Sequence, residues 1–403
     1  MLALPSRRTR RAFVGAAAAL VLAALYVGCG TSNDAGVTTF EAPDGADDRR
    51  LATPAVDAAP ADARSQPDAT GDAAFDCGAE ASNDAPRDLR CTDLYADWGS
   101  KTVGALNRPY APGLQFWSDS AGKSRWLYLP AGTQIDTSNM DDWTFPVGTK
   151  AWKEFRLGAR RIETRLLWKR GPADWVRTTY RWSDDESRAT RLDDGEINVN
   201  GAGYQIPDQG ECDQCHLGRK DRLLGVEAIG LGVSGATGIT LASLVAEGRL
   251  TAPPAATTLV IPEDATGRAG AALGWMHMNC GVTCHNRNPE AVSEHTKLFM
   301  RLSARQLLGP DGGSTRVQDT DTWLTAMNVR AVTPPYPTMG LYRIRGGDLA
   351  RSLIVTLPET RTSPPTTAQM PPIVSHQVDT LGVLYAKTWI LALPSPPDAG
   401  DGG

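Results

Sequence analysis

A cysteine pair followed directly by a histidine, Cys212-Asp213-Gln214-Cys215-His216, is the stretch whose possible chemistry is most specific. Two thiols three positions apart can each form a thioether with a vinyl group of haem, and the adjacent imidazole can then bind the iron from one face. This chemistry needs all three residues at once. The stretch therefore predicts a covalently attached haem, with Cys212 and Cys215 as attachment points and His216 as an iron ligand.

A second, looser copy lies at Cys280-Gly281-Val282-Thr283-Cys284-His285, where three residues rather than two separate the thiols. Gly281 tolerates backbone angles that a side chain forbids, so a small bulge there could absorb the extra residue. The alternative is a structural zinc site with the four cysteines of both motifs as thiolate ligands. The histidine after each pair favours haem, because the chain has only 5 histidines. We therefore expect a second haem at Cys280, Cys284 and His285.

Each haem iron also has a second face. The nearest candidate ligands for the first haem are Met276, His277 and Met278, and the candidate for the second is Met370. Gln369-Met370-Pro371-Pro372 places a methionine in a proline-rich loop before the last predicted helix. Cytochromes c carry a thioether ligand at this position, and proline keeps such a loop rigid. Met370 is thus the predicted ligand of the second haem, with a buried packing methionine as the alternative. His277 is the candidate for the first haem, against a packing or hydrogen-bonding role.

The first 29 residues have the pattern of an export signal. Arg7, Arg8, Arg10 and Arg11 form a charged start, and an apolar run follows from residue 12 to 28. A small residue before Cys29 resembles the lipobox of bacterial lipoproteins, in which the cysteine is lipidated and becomes the first residue. We predict a lipoprotein signal peptide over residues 1–29, with lipidation at Cys29. The alternatives are an uncleaved anchor and an ordinary cleavage site.

Residues 30–94 are rich in Asp, Ala, Pro, Ser and Thr and hold too little apolar surface to fold alone. We predict a disordered tether there and a disordered tail over residues 396–403. Cys77 and Cys91 are the thiols that remain after lipidation and haem attachment, so an oxidising compartment favours a disulfide between them. Closing that loop would stabilise the fold by about 3 kcal/mol. The alternative is two unpaired thiols.

The middle of the chain is rich in tryptophan, and eight of the 11 tryptophans lie between Trp98 and Trp182. Its apolar pattern has period two, as in Trp175-Val176-Arg177-Thr178-Thr179-Tyr180-Arg181-Trp182, which indicates β-strands. We predict an antiparallel β-domain over residues 95–205. Its tryptophans form either a core or, alternatively, a platform for carbohydrate.

Helical patterns dominate the rest of the chain. We predict a first haem segment over residues 206–260, with helices near 219–229 and 239–247 and a glycine-rich turn over 230–238. A second, cytochrome-c-like haem domain is expected over residues 261–395, with a helix at 269–278 and a closing helix that begins after Asp379. The predicted fold class is α+β multidomain: an N-terminal antiparallel β-domain followed by an α-helical, cytochrome-c-like dihaem region.

Several motifs over roughly residues 95–393 resemble a family of exported, largely uncharacterised bacterial dihaem cytochrome-c-like proteins. They are Phe116-Trp117-Ser118-Asp119, Lys123, Arg125-Trp126, Phe145-Pro146-Val147-Gly148-Thr149, Glu163-Thr164-Arg165-Leu166-Leu167, the two Cys/His motifs and Met370-Pro371-Pro372. The resemblance implies covalent haem c, an extracytoplasmic setting and an appended β-domain. It implies no substrate, because the family has no settled activity. The extra residue at 280–285 departs from the family pattern.

The leading functional interpretation is a membrane-tethered dihaem c-type cytochrome that carries electrons between periplasmic redox partner proteins. A net charge of -5 and a pI near 5.6, without a basic cluster, exclude nucleic acid as a partner. We expect a periplasmic or outer-membrane lipoprotein of a Gram-negative bacterium, held at the membrane by its lipid anchor. The alternatives are a haem peroxidase or oxidase with an open first haem, and a carbohydrate- or protein-binding module with haem as an accessory.

Overall fold

The computed structural model describes residues 75–77, 85–309, 315–362 and 368–397. Its largest element is an antiparallel sheet of seven strands in the spatial order β8-β7-β6-β5-β4-β3-β9, and β1 and β2 form a separate ribbon. The strands are β1 (Tyr95–Asp97), β2 (Thr102–Val103), β3 (Arg108–Ala111), β4 (Gly122–Tyr128), β5 (Lys150–Leu157), β6 (Arg160–Lys169), β7 (Trp175–Trp182), β8 (Ala189–Leu192) and β9 (Thr237–Gly238). The predicted antiparallel sheet is confirmed, and the chain is of mixed α+β class.

Side chains alternate between the two faces of this sheet, as the period-two pattern predicts. The face that we call the tryptophan face carries Trp152, Leu166, Tyr180 and Trp182, all of which are at most 1% exposed. The opposite face, which we call the cationic face, carries Arg125, Lys153, Arg165, Leu167, Arg177 and Thr179. Because Trp152 and Trp182 are buried, they form a core, against which Trp98, Trp126 and Trp168 pack half-buried.

The remaining chain is helical or irregular. The helices are α1 (Gln209–His216), α2 (Ala228–Gly232), α3 (Leu241–Ala246), α4 (Ala269–Met276), α5 (Ala304–Leu307), α6 (Asp321–Ala326), α7 (Leu353–Glu359) and α8 (Thr380–Ala392). A π-helical turn, His277–Gly281, continues α4, and short 3-10 turns lie at Leu89–Thr92, Val199–Gly201, Glu294–Thr296, Val317–Asp319 and Tyr336–Met339. None of the helices in the described part of the chain is long and apolar enough to cross a bilayer.

Helices α4 and α8, which are far apart in sequence, pack directly on each other. A Cβ added to Gly382 in α8 would lie 1.9 Å from Nε1 of Trp275 in α4, so only glycine fits at this crossing. Nε1 of Trp275 donates a hydrogen bond to Asp379 Oδ2 (2.9 Å), and Asp379 Oδ1 accepts from the Gly382 N–H (3.0 Å). Asp379 thus caps the closing helix, as predicted, and also joins it to the helix before the second motif.

Two local expectations for the first haem segment were wrong. No helix spans residues 219–229, since Arg222 (φ 61°) and Gly225 (φ 84°) adopt left-handed backbone angles that a helix cannot contain. The end of the predicted glycine-rich turn instead forms β9, which pairs with β3 and extends the sheet. The helix expected near 239–247 is present as α3, and Gly248 follows it with φ 64°.

The predicted division into a β-domain and two haem segments does not correspond to separate cores. One hydrophobic cluster joins Leu127 and Leu167 of the sheet, Leu231 of the first segment, and Leu273 and Trp389 of the second. The physical reason is size, because a segment of about fifty residues buries too little surface to be stable alone. The sheet and both segments therefore stabilise one another.

The predicted tether extended too far toward the sheet. Leu89 and Leu94 are fully buried in the cluster on the tryptophan face, so residues 85–94 belong to the folded part. Cys77 and Cys91 form a disulfide with a Cα–Cα distance of 5.7 Å, which holds residues 75–77 to this segment. The signal segment 1–29, the lipidation site Cys29, the rest of the tether and the end of the tail lie outside the described residues.

Candidate functional site

Helix α1 carries the whole first motif. Asp208 begins the helix with a reciprocal cap: its Oδ1 accepts from the Glu211 N–H (2.8 Å), and Glu211 Oε2 accepts from the Asp208 N–H (3.1 Å). Cys212 lies three residues before Cys215 and four before His216, so the helix places all three on neighbouring positions of its surface. The local sequence thus fixes the arrangement that haem attachment needs.

His216 is oriented by a backbone hydrogen bond. Its Nδ1 lies 2.6 Å from the Arg222 carbonyl oxygen, which can only accept, so Nδ1 carries the proton. The lone pair is therefore on Nε2, the nitrogen that remains free for a metal. Desolvation lowers the pKa of His216 to about 4, so the imidazole is neutral at physiological pH. A neutral imidazole with a fixed tautomer is the form that binds iron.

The second motif absorbs its extra residue in the π-helical turn. The Val282 N–H donates to the His277 carbonyl and the His285 N–H donates to the Cys280 carbonyl, both at 2.8 Å and both five residues back along the chain. Such a turn accommodates one more residue than an α-helical turn and is frequent at functional sites. Cys284 therefore comes back toward Cys280 although three residues separate them.

Gly281 has a different role from the one expected. Its φ is not left-handed, so it forms no glycine bulge. A Cβ at this position would lie 2.4 Å from the Arg301 nitrogen and 2.5 Å from the Met300 carbonyl carbon. The glycine is needed because the segment at 300–301 passes directly against the π-helical turn.

His285 is half-buried after this turn. Desolvation lowers its pKa to about 4, so it too is neutral near pH 7. Its Nδ1 has no hydrogen-bond partner among the described residues. The second imidazole is thus neutral and lies beside the Leu298 backbone, which acts on its pKa in the direction opposite to burial.

The fold brings the two motifs into direct contact. Cys284 Sγ lies 4.0 Å from the Gln214 carbonyl oxygen, and the Cys215 thiol is near enough to Cys284 for each to shift the pKa of the other. A Cβ on Gly218 would lie only 1.6 Å from the Thr283 carbonyl oxygen, so the two backbones touch. Motifs that are far apart in sequence therefore share one site.

The zinc alternative finds no support in this arrangement. All four motif cysteines lie within the described part of the chain, and each is half-buried. Nowhere in that part do three or more His, Cys, Asp or Glu side chains converge so that they could hold a metal ion. A four-thiolate zinc site would need such a group, whereas haem iron needs at most two protein ligands on opposite faces.

His277, the candidate ligand for the first haem, is fully buried with both ring nitrogens engaged. Its Nδ1 accepts from the Leu302 N–H (2.9 Å), so the proton is on Nε2, which faces Glu227 Oε1 at 3.4 Å. Burial by itself would raise the pKa of Glu227, but His277, Arg219 and Arg301 lower it to about 2. This geometry favours the packing role for His277, because no lone pair is free for iron.

Met370 lies half-buried in its loop, and its N–H donates to the Leu357 carbonyl (3.1 Å). Gln369, which the sequence analysis did not single out, holds that loop. Its Nε2 donates to the carbonyls of Pro371 and Ser375, both at 2.9 Å, and the side chain is fully buried. The sequence signal for this role was the position of polar Gln369 shortly before the proline pair Pro371-Pro372. Met339, the last residue of the 3-10 turn Tyr336–Met339, is 60% exposed.

A cleft runs between the first motif and the sheet. Cys212 and His216 line one side, and the cationic face lines the other through Arg165, Leu167, Arg177, Thr179 and Leu192. The alternating polar residues of β6 and β7 therefore face the Cys-His motif. Sequence reasoning assigned the alternation correctly but gave no partner to this face.

Comparisons with known proteins leave the chain without an assigned relative. No family model matches it, and neither a curated protein nor a solved structure matches it. The resemblance to dihaem cytochrome-c-like proteins thus stays a prediction that depends on the motifs themselves.

Proposed function

We propose that this protein is a dihaem c-type cytochrome that transfers electrons outside the cytoplasm, tethered through Cys29. One observation carries the proposal: two Cys/Cys/His motifs that are distant in sequence are folded against each other, with Gly218 against the Thr283 backbone and Cys284 beside Gln214. Zinc ribbons also bring cysteine pairs together, but they do so around a convergent ligand group. Here each motif keeps its own histidine instead.

The residues present fit covalently bound haem. Cys212 and Cys215 hold the first group and Cys280 and Cys284 the second, and haem supplies the one-electron chemistry. His216 offers Nε2 because the Arg222 carbonyl holds the proton on Nδ1. The contact between Cys215 and Cys284 makes the two attachment points neighbours, so electrons would pass between the groups without crossing the protein.

The Cys77–Cys91 disulfide supports an extracytoplasmic setting. Disulfides persist in oxidising compartments and are rare where thiols are kept reduced. Covalent attachment of haem to such motifs also takes place outside the cytoplasm. The disulfide and the N-terminal signal pattern therefore agree on one destination, and both are consistent with electron transfer between periplasmic partner proteins.

The test is a count of covalent haems by intact mass together with a pyridine haemochrome assay. We expect two haems in the wild type, one after Cys212→Ala with Cys215→Ala, and one after Cys280→Ala with Cys284→Ala. The matched control is Cys77→Ala with Cys91→Ala, which removes two thiols elsewhere and should keep both haems. Two haems in either motif variant would contradict the proposal.

A specific observation also favours a peroxidase- or oxidase-type enzyme as a second candidate. His216 is the only histidine in the described lining of the first cleft, and no methionine belongs to that lining. With His277 engaged elsewhere, the first iron would keep an open position, which ligand-binding chemistry needs. A high-spin signal that disappears on cyanide binding would favour the enzyme, and two low-spin, six-coordinate haems would favour electron transfer.

A further inference from the structure

A row of cations crosses the cationic face of the sheet above the first motif. Arg125, Lys153 and Arg165 lie directly opposite one another on β4, β5 and β6, and Lys123 lies two residues from Arg125 on the same face. Opposite residues on neighbouring strands have Cβ atoms about 4.5–5.5 Å apart. Four basic side chains are therefore held side by side by the register of the strands.

The protein neutralises only one of these cations. Glu163 pairs with Arg165 through two hydrogen bonds of 2.8 and 2.6 Å and also accepts from the Tyr204 hydroxyl at 2.6 Å. Three of the roughly four acceptor positions of this carboxylate are used by these partners. Among the described residues, Arg165 pairs with Glu163, whereas Lys123, Arg125 and Lys153 form no ion pair. Asp379 and Glu163 act on Lys123 and Lys153 only from a longer distance.

The contacts of these three cations are with neutral groups. Arg125 is 4% exposed, and its Nη2 has no hydrogen-bond partner in the described part of the chain. Nζ of Lys153 lies over aromatic rings, 5.3 Å from the ring centre of Phe116 and 4.8 Å from that of Phe155. Nζ of Lys123 donates to the Phe116 carbonyl.

This arrangement is costly for a protein without a ligand. Like charges placed directly opposite in a sheet are destabilising, and a buried donor without a partner costs about 1–3 kcal/mol. Burial, with the charges of Arg125 and Arg165, lowers the pKa of Lys123 from 10.5 to about 7. Proteins keep such a cluster where it binds an anion, as at sites that bind phosphate and carboxylate groups.

The position of the row identifies the anion's neighbourhood. Arg165 lines the same cleft as Cys212 and His216. Lys153 is the residue between Arg165 and Arg125 in the row. An anion bound by Lys153 and Arg125 would thus lie beside whatever occupies the cleft of the first motif.

We propose that Lys123, Arg125 and Lys153 form a partly buried site for carboxylate groups, namely the propionates of the haem at the first motif. The proposal rests on the proposed function, since it takes its ligand from that haem. A free oxyanion would offer the same chemistry, and the experiment separates the two sources. The sheet then supplies the counter-charges of the group that the helix attaches.

The test compares Lys153→Met with Lys220→Met, which removes an exposed lysine. Both variants should carry the same number of haems by intact mass as the wild type, which isolates this site from haem attachment. In Lys153→Met we expect the propionate bending bands in resonance Raman spectra to shift. We also expect the reduction equilibrium of one haem to move about tenfold toward the oxidised form, about 59 mV for one electron. Lys220→Met should change neither readout.

Unchanged Raman bands in Lys153→Met would overturn the propionate assignment. Lys153→Arg keeps the charge and should show the wild-type bands. If Lys153→Met fails to fold, Lys153→Gln takes its place in the comparison, with the same expected shift. A purely electrostatic effect on iron would move the potential without moving the bands, which also counts against the proposal.

Inorganic phosphate distinguishes the second source. A saturable change of the wild-type spectrum on adding phosphate, absent in Lys153→Met, would assign the site to a free oxyanion and overturn the propionate assignment. If mass shows no covalent haem in the wild type, the proposed function fails. The anion site is then decided by calorimetry: phosphate binding that Lys153→Met abolishes supports it, and no binding overturns it.

Discussion

Replacing Gly218 with alanine tests the contact that brings the two Cys-His motifs together. The added Cβ would lie 1.6 Å from the Thr283 carbonyl oxygen and 2.5 Å from its carbonyl carbon. Non-bonded heavy atoms rest about 3.5–4.0 Å apart, so the segments would have to separate by roughly 2 Å. Both neighbours are backbone, and the Asn288 side chain ties this junction to the Leu217 carbonyl (3.2 Å). No side-chain rotation can therefore relieve the clash.

The magnitude follows from this geometry. Overpacking costs about 1–3 kcal/mol and occasionally more, and a clash with backbone belongs at the upper end, about 3 kcal/mol. The φ of Gly218 is not left-handed, so strain in its own backbone adds nothing. With an unfolding entropy of about 2.1 cal/mol/K per residue, a folded part of roughly 300 residues loses about 1.6 °C of Tm per kcal/mol, which gives a decrease of about 5 °C for Gly218→Ala.

Thermal and urea unfolding, followed by circular dichroism, would measure this effect on protein whose haem count is known. The matched control is Gly210→Ala in α1, where the nearest atom to the added Cβ is Asp208 Oδ1 at 3.3 Å. Alanine inside a helix is about 0.5–1 kcal/mol more favourable than glycine, so the control should be as stable as the wild type or more so. Equal Tm values for the two variants would refute the packing of the motifs.

Three further predictions concern the ligand loop and the buried histidine network. Met370→Ala should lower the equilibrium constant for reduction of one haem at least about tenfold and remove the weak far-red band of Met-ligated ferric haem. A redox titration followed by absorbance measures both. Met339→Ala, at a 60% exposed position, should change neither. The pKa of Glu227 is about 2 in the folded protein against an ordinary 4.5. Its contribution to stability, about 3 kcal/mol, is therefore present above pH 4.5 and lost as the pH falls toward 2. In Glu227→Gln, the free energy of unfolding in urea should depend less on pH over that range. His277→Ala should destabilise the fold by about 2–5 kcal/mol, because it leaves the Leu302 N–H and Glu227 buried without their partner, yet leave the iron spin states in absorbance spectra as in the wild type. A new high-spin haem in that variant would show that His277 is a ligand after all.

The elements that the sequence predicted well are those with strong local signals. The alternation in residues 175–182 predicts β7 to the residue, because β-branched and aromatic side chains alternate with charged ones there. Asp379 before an apolar run predicts the start of α8, and a side-chain cap is observed at that position. Each of these signals lies within the element that it predicts.

The errors lie where the decisive partner is distant in sequence. Residues 85–94 have the composition of the tether before them, and only the packing of Leu89 and Leu94 beside Trp152 shows that they are folded. The expected helix over 219–229 fails at Arg222, whose left-handed backbone no propensity predicts for arginine. In both cases tertiary contacts outweigh local composition.

The candidate site divides in the same way. The cysteines and histidines follow from their spacing, since haem attachment requires those residue types in that order. The wall opposite them does not, because Arg165, Arg177 and Leu192 come from three different strands and only the register places them together. A lone arginine in a strand is usually solvated, and its meaning changes only when its neighbours across the sheet are known.

The second motif shows why spacing alone is an incomplete guide to chemistry. Counted along the chain, Cys280 and Cys284 are one residue too far apart for the common haem motif. By spacing alone, the second motif would be interpreted as a copy that cannot attach haem. Counted along hydrogen bonds, the π-helical turn adds one residue per turn, so the surplus is absorbed and His285 bonds back to the Cys280 carbonyl. The turn is accommodated only because Gly281 lets the backbone at Arg301 pass at a distance that any side chain would block. The insertion and the glycine therefore form a single feature. Gly281→Ala should reduce haem attachment at the second motif, as counted by intact mass, and leave attachment at the first motif unchanged.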